Sequence, residues 1–97
     1  MNAYQFHPEA LEEADDAASF YQMLQPGLGK RFLEALEDAI TKIRRNPLLY
    51  RKVDGEIRKC RLIRFPYGVI YRLKGDCIDI IAVMHLRRQP DYWKLRL

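Results

Sequence analysis

Cysteine, histidine and glycine are scarce in this sequence, and each scarcity closes off a class of chemistry. Two cysteines, Cys60 and Cys77, stand among 97 residues with two histidines. The cysteines are far apart and form no C-x-x-C pair, so neither a redox motif nor a zinc-ligand spacing is present. In a reducing compartment they read as two small buried strand residues. The five glycines form no Gly-rich phosphate loop, and the nucleophile elbow and the H-E-x-x-H helix are missing too. No carboxylates are paired to hold a divalent ion, so no metal and no cofactor is expected. No apolar run approaches the roughly 20 residues that cross a bilayer. The opening stretch MNAYQFHPEALEEADD has neither a basic nor an apolar segment; no secretory signal is expected, and the protein is expected in the cytoplasm.

What is present fits one globular domain over residues 1–97. With 48% hydrophobic and 31% charged residues it can bury a single modest core. The net charge of +4 is unevenly divided. Residues 1–50 carry five Lys and Arg against eight Asp and Glu, a net −3; residues 51–97 carry twelve against five, a net +7. Such a split either turns the second half toward a polyanion or makes it a solvated basic surface.

NAYQFH reads as a short edge strand. Pro8 suits the first turn of a helix, and Glu9, Glu12 and Glu13 follow at the positive end of its dipole. Spacings of three and four connect Leu11, Ala14, Ala18 and Tyr21, and likewise Ala10, Ala14, Ala17 and Leu24, which predicts a helix with one buried stripe. QPGLG ends it. A second helix is predicted from Leu28 or Gly29 to Arg45, with Phe32, Leu36, Ala39, Ile40 and Ile43 on its apolar face and Asn46-Pro47 closing it. The period then changes. EIRKCRLIRF, YGVIYRL and DCIDIIAVMH read as three strands, joined by a turn at Pro66-Tyr67-Gly68 and a tight hairpin at Lys74-Gly75-Asp76. PLLYRKVDG reads as a loop. The expected fold is α+β: an N-terminal strand, then an antiparallel helical hairpin packed on an antiparallel β-meander, with a short C-terminal tail.

The end of the last strand carries the chemistry. IDIIAVMHLRRQPDYW runs from apolar strand into His85, Arg87, Arg88, Tyr92 and Trp93. Alternation places Ile81, Val83 and His85 on one face and Ile78, Ile80, Ala82 and Met84 on the other. A lone His at a strand end is usually a hydrogen-bonded structural residue; the cations and rings beside it make it a candidate. Guanidinium groups bind phosphate through a planar fork, and aromatic rings stack on unpaired bases. Tyr92 is the candidate for stacking, whereas Trp93 reads as packing the tail onto the sheet. The first strand of the meander adds Arg58 on one face and Lys59 and Arg61 on the other.

Together these pieces resemble the RelE/ParE superfamily of type II toxin–antitoxin toxins, the plasmid-stabilisation family. The resemblance covers almost the whole chain: PGLGKRF opening the second helix, NP at its end, IRKCRL, FPYGVIYR and IIAVMHLRRQPDYW. It implies a toxin that arrests bacterial growth until an antitoxin wraps and neutralises it. The implied partner is a small, acidic antitoxin encoded by a neighbouring gene. Two activities follow from the likeness. RelE-like members cut mRNA on the ribosome without a metal, whereas ParE-like members poison DNA gyrase.

Cutting requires the 2′-OH deprotonated, the charge on the in-line phosphorane offset and the 5′-oxygen protonated. On that reading Arg58 and Arg88 offset the charge, His85 moves a proton, and Arg61, Arg87 and Tyr92 hold the substrate. Gly68 stands where several RelE-like nucleases carry an Arg, and a His after an apolar AV-x segment also resembles ParE-like sequences. The Arg-rich, aromatic-ended cluster tips the reading slightly toward a ribosome-dependent mRNA endonuclease. Gyrase inhibition is the alternative, and a degenerate, non-toxic domain that binds antitoxin or nucleic acid is a third. The nuclease reading requires the strand arginines to converge with His85 and Tyr92 around one shallow, open cleft.

Overall fold

His7 and Pro8 start the first helix. In the computed structural model, which describes residues 1–97, His7 Nδ1 accepts from the Glu9 amide at 3.1 Å and caps α1 (Pro8–Leu24). Pro8 occupies the first turn, where a missing amide hydrogen costs nothing. The chain then reverses through Gly27, whose φ of 91° a residue with a side chain resists, into α2 (Leu28–Arg45). Gln22 fastens this reversal, its Oε1 accepting from the amides of Gly27 and Gly29 at 3.0 and 3.3 Å.

The two helices touch at Gly29. A Cβ there would stand 2.6 Å from the Ala18 carbonyl oxygen, inside any tolerable contact. Gly29→Ala is therefore expected to push the helices apart and cost about 1–3 kcal/mol. A thermal melt checks this, and an unchanged midpoint would show that the crossing accepts a methyl group.

The buried stripe of α1 is alanine. Ala10, Ala14 and Ala17 are buried, while Leu11 and Leu24, placed on the same stripes by their spacing, are exposed. Small side chains let this helix lie close over the sheet. Helix α2 buries Phe32, Leu36, Ala39, Ile40 and Ile43, the face its spacing predicts.

Strands β1 (Ala3–Phe6), β2 (Arg51–Asp54), β3 (Ile57–Arg61), β4 (Tyr67–Lys74) and β5 (Cys77–His85) form one sheet in the order β1-β5-β4-β3-β2. The expected meander is β3, β4 and β5. β1 joins it in parallel with β5, Phe6 opposite Ile80, so the sheet is mixed. The segment PLLYRKVDG is not all loop: it contains β2, an edge strand antiparallel to β3. All four of its residues are exposed, so burial wrote no alternation into it. The turn expected at Pro66-Tyr67-Gly68 also lies earlier, over residues 62–66, because Tyr67 and Gly68 are already paired with His85 and Met84.

Both helices lie on one face, where Phe32, Leu36 and Ile43 pack on Val69, Tyr71, Ile78, Ile80 and Val83. On the other face Ile57, Ile70, Ile81, Ala82 and Met84 form a second cluster, covered by Trp93 from a 3₁₀ turn at Tyr92–Arg96. Strict alternation fails within β5. Tyr71 pairs with Ile80 and Ile70 with Ala82, so Ile81 bulges with no residue opposite. Ile78 and Ile80 face the helices, Ile81, Ala82 and Met84 face away, and Val83 is again under the helices. Contrary to the alternation argument, Ile81 does not share a face with Val83 and His85. The bulge is what carries His85 to the helix side. No helix is long and apolar enough to cross a membrane.

Candidate functional site

β1 ends at Phe6, opposite Ile80, and the chain leaves the sheet for α1. Beyond that point the edge of β5 has no strand beside it, and its backbone groups need other partners. Side chains supply them. The Val83 amide donates to Glu13 Oε1 at 3.1 Å, and the Ile81 carbonyl accepts from Arg96 Nη1 at 3.0 Å. Glu13 and Arg96 close on each other in a two-pronged pair, Nη1 to Oε1 at 2.8 Å and Nη2 to Oε2 at 3.1 Å. Only 13% of the Glu13 side chain and 9% of the Arg96 side chain meet solvent.

The same carboxylate reaches further into the tail. The Tyr92 hydroxyl donates to Glu13 Oε2 at 2.6 Å and Arg88 Nη1 donates to it at 3.1 Å. The Arg88 guanidinium lies 3.7 Å from the centre of the Tyr92 ring, and Arg96 flanks that ring at 5.0 Å. Burial raises the pKa of the Tyr92 hydroxyl, and its hydrogen bond to Glu13 adds to the rise, so Tyr92 stays a donor. The hydrogen bond to Glu13 raises the pKa of Arg96 against the opposing effect of burial. One glutamate thus holds α1, the free edge of β5 and the C-terminal segment together.

His85 lies beside this hub. Its Nδ1 accepts from the Arg87 amide at 3.1 Å, and its ring meets Tyr67 edge-on at 5.0 Å. With Nδ1 so engaged, only Nε2 is left to meet a ligand. His85 and Arg88 line a hollow of about 220 Å³ together with Glu13, Asp16 and Phe20.

Arg58 is elsewhere. It lies opposite Tyr71, whereas His85 lies opposite Tyr67, roughly 13 Å away along β4. Its Nη1 donates to the Leu48 and Tyr50 carbonyls at 3.1 and 2.8 Å, pinning the loop after α2. The Tyr71 hydroxyl fastens the same loop through the Pro47 carbonyl at 2.6 Å. Arg61 lies on the face of β3 turned away from the helices, and Arg87 is exposed past the end of β5. The expected convergence is therefore partial: His85, Arg88 and Tyr92 gather around Glu13, while Arg58 and Arg61 do not join them. The alternation of β3 and the loop carbonyls that claim Arg58 account for the separation.

The sequence reading places Glu13 only at the helix dipole and misses it as a site residue, although a signal for it exists. Three residues after Ala10 and four before Ala17, it lies along the buried alanine stripe, where a carboxylate needs a cationic partner. Gly68 also has a packing reason: a Cβ there would meet Lys59 Cγ and Cδ at 3.1 Å, so the lysine stem lies across the space.

A helical hairpin on one face of a mixed five-stranded sheet is the fold that comparison with known proteins assigns to the RelE/ParE class of toxins. Over residues 4–90 the sequence matches the family described as ParE toxin of type II toxin–antitoxin system, parDE, and the chain belongs to that family. The fold is shared with a solved structure of the chromosomal ParDE toxin–antitoxin system from P. aeruginosa, with a TM-score of 0.66 and 18% identity, covering 90% of this chain and 98% of that one. No curated protein matches the sequence. Membership of this family implies a cognate antitoxin as partner, and it favours ParE-like over RelE-like activity. That runs against the slight tilt of the Arg-rich cluster toward mRNA cleavage.

Proposed function

We propose that this toxin arrests growth by inhibiting DNA gyrase and does not itself cut RNA. The observation that carries this reading is that the two cations a cutting site needs are committed elsewhere and the imidazole has one nitrogen already engaged. Arg58 is bound to loop carbonyls, His85 Nδ1 to the Arg87 amide, and Arg88 to Glu13. In-line attack by a 2′-OH needs an available base and cations free to meet the phosphorane. The hollow beside His85 is bordered by Asp16, and by Glu13 and Arg88 that neutralise each other, so it offers a phosphodiester no free cation.

Induced expression is expected to arrest growth with accumulated gyrase–DNA breaks and intact transcripts. His85→Ala should arrest growth as strongly as the parent. Codon-dependent mRNA ends that vanish in His85→Ala would return the protein to the nuclease branch.

The antitoxin belongs on the outer side of the hairpin. Phe20, Met23, Leu24 and Leu33 are exposed there. One groove of about 530 Å³ runs between the helices, and another of about 650 Å³ runs between α2 and Ile63–Pro66. An acidic, amphipathic segment that folds as it binds suits these grooves, with Lys30 and Arg31 at their margins. A short acidic reading frame adjoining this gene is the expected source.

A further inference from the structure

The sheet face turned away from the helices holds charge that the gyrase reading leaves unused. Arg51 and Lys59 stand opposite each other on β2 and β3, and Arg61 follows two residues along on the same face. Arg51, Lys52 and Lys59 border a hollow of about 230 Å³ floored by Ile70, Met84 and Trp93. The acids nearby are paired within the chain, with Lys94 shared between two of them, so that one negative charge is left against three free cations. Asp79 pairs with Arg72 at 3.1 Å, Glu56 with Lys52 at 3.1 Å, and Asp54 and Asp91 with Lys94 at 3.5 and 3.6 Å. No ion pair of the molecule engages Arg51, Lys59 or Arg61. Three cations outside any ion pair therefore share one face of a short strand pair.

We propose that this open face binds the phosphate backbone of duplex DNA. Lys59 and Arg61 are roughly 7 Å apart along β3, about twice the 3.4 Å axial spacing of phosphates on one strand. Arg51 carries the row to the sheet edge. The rings of this face argue for a duplex over a single strand. Trp93 is only 2% exposed, and Tyr92 is held between Arg88 and Glu13, so no aromatic surface is free to stack on unpaired bases. A peptide strand is disfavoured as occupant because the register of β2 against β3 breaks between Lys52 and Asp54, which disturbs the edge such a strand would pair with. A toxin acting on gyrase would use this contact to grip the DNA that gyrase holds. The binding rests on the gyrase reading for its setting only.

The test titrates purified toxin into a labelled duplex of random sequence, about 20 base pairs long, and follows anisotropy across a salt series. Three phosphate contacts give an expected slope of about −2.7 in log K against log salt. Lys59→Glu with Arg61→Glu should weaken binding at least tenfold at about 50 mM salt, where such contacts are strong. Lys30→Glu with Arg31→Glu, the same charge change on the hairpin, should leave it within about twofold. Circular dichroism checks the fold, and Lys59→Gln with Arg61→Gln stands in if the reversal perturbs it. Absence of binding at low salt, an equal loss in the hairpin variant, or tighter binding to single-stranded RNA would each overturn the proposal. Displacement of the duplex by poly-glutamate at equal charge concentration would overturn it in favour of an acidic polypeptide. No gyrase is present, so the outcomes separate: DNA binding without gyrase poisoning removes only the gyrase reading, and poisoning without binding removes only the DNA face.

Discussion

Glu13→Ala is expected to cost about 3 kcal/mol and to loosen the segment that carries the single tryptophan of the chain. The substitution removes an acceptor used by Val83, Arg88, Tyr92 and Arg96 at once. Two outcomes compete. Arg96 can remain where it is, largely shielded and left with only the more exposed Glu9 carboxylate at 3.1 Å, which costs up to about 3 kcal/mol for a broken buried pair. Alternatively the Tyr92–Arg96 turn lifts away and Trp93 loses its burial, forfeiting roughly 150–250 Å² of contact, or about 4–6 kcal/mol at 25 cal/mol per Å². The first is slightly cheaper, so the turn stays docked most of the time but opens far more readily than in the parent.

Thermal and urea melts read the first quantity, and acrylamide quenching of Trp93 reads the second. For a domain of this size a loss of 3 kcal/mol lowers the melting temperature by about 12–24 °C. Glu13→Gln keeps an acceptor for the Val83 amide but offers no charge to the two guanidinium groups, so its loss should be smaller. Adding Arg96→Ala to Glu13→Ala removes a cation left with Glu9 alone, and the pair of changes should cost about 1–3 kcal/mol less than the sum of the singles. Parent-like melts and quenching in Glu13→Ala would mean that the hub is an ornament of the surface.

The hub also explains what the sequence could and could not disclose. Helix α2 and the meander were legible because each presents an apolar set to one core, from Phe32 to Ile43 on the helix and through the Ile- and Val-rich strands. β2 was hidden because nothing in Arg51–Asp54 is buried. The bulge at Ile81 was hidden for the opposite reason. β5 is covered on both faces, so Ile78, Ile80, Ile81, Ala82, Val83 and Met84 are all buried and alternation loses its meaning. The residue types of the site were visible in LRRQPDYW, but their partner was not. Glu13 lies 75 to 83 residues away from Arg88 and Arg96. A run of cations and rings near a His reads as a nucleic-acid site until a carboxylate from another element is shown to occupy it.

Phe32→Ala is expected to be at least as damaging, at about 3–5 kcal/mol. The ring is fully buried and sits at the joint between the hairpin and the sheet. It stacks on Tyr21 of α1 at 5.5 Å and meets Phe65 and Tyr67 edge-on at 5.3 and 5.0 Å. Each such aromatic pair adds about 0.5–1.5 kcal/mol beyond the area it buries. Tyr21 and Phe65 also touch each other, at 4.9 Å, so the cavity left by an alanine is walled by rings that already support one another and collapse into it poorly. A domain of this length has only about 5–15 kcal/mol of total stability, and the variant should sit near its unfolding threshold at growth temperature. Phe32→Leu retains most of the volume and should lose less than about 1.5 kcal/mol. Urea midpoints of the two variants give the comparison. If alanine and leucine fall together, ring contacts carry the joint; if neither falls, the hairpin is held to the sheet by the alanine stripe of α1 and the aromatic cluster is dispensable.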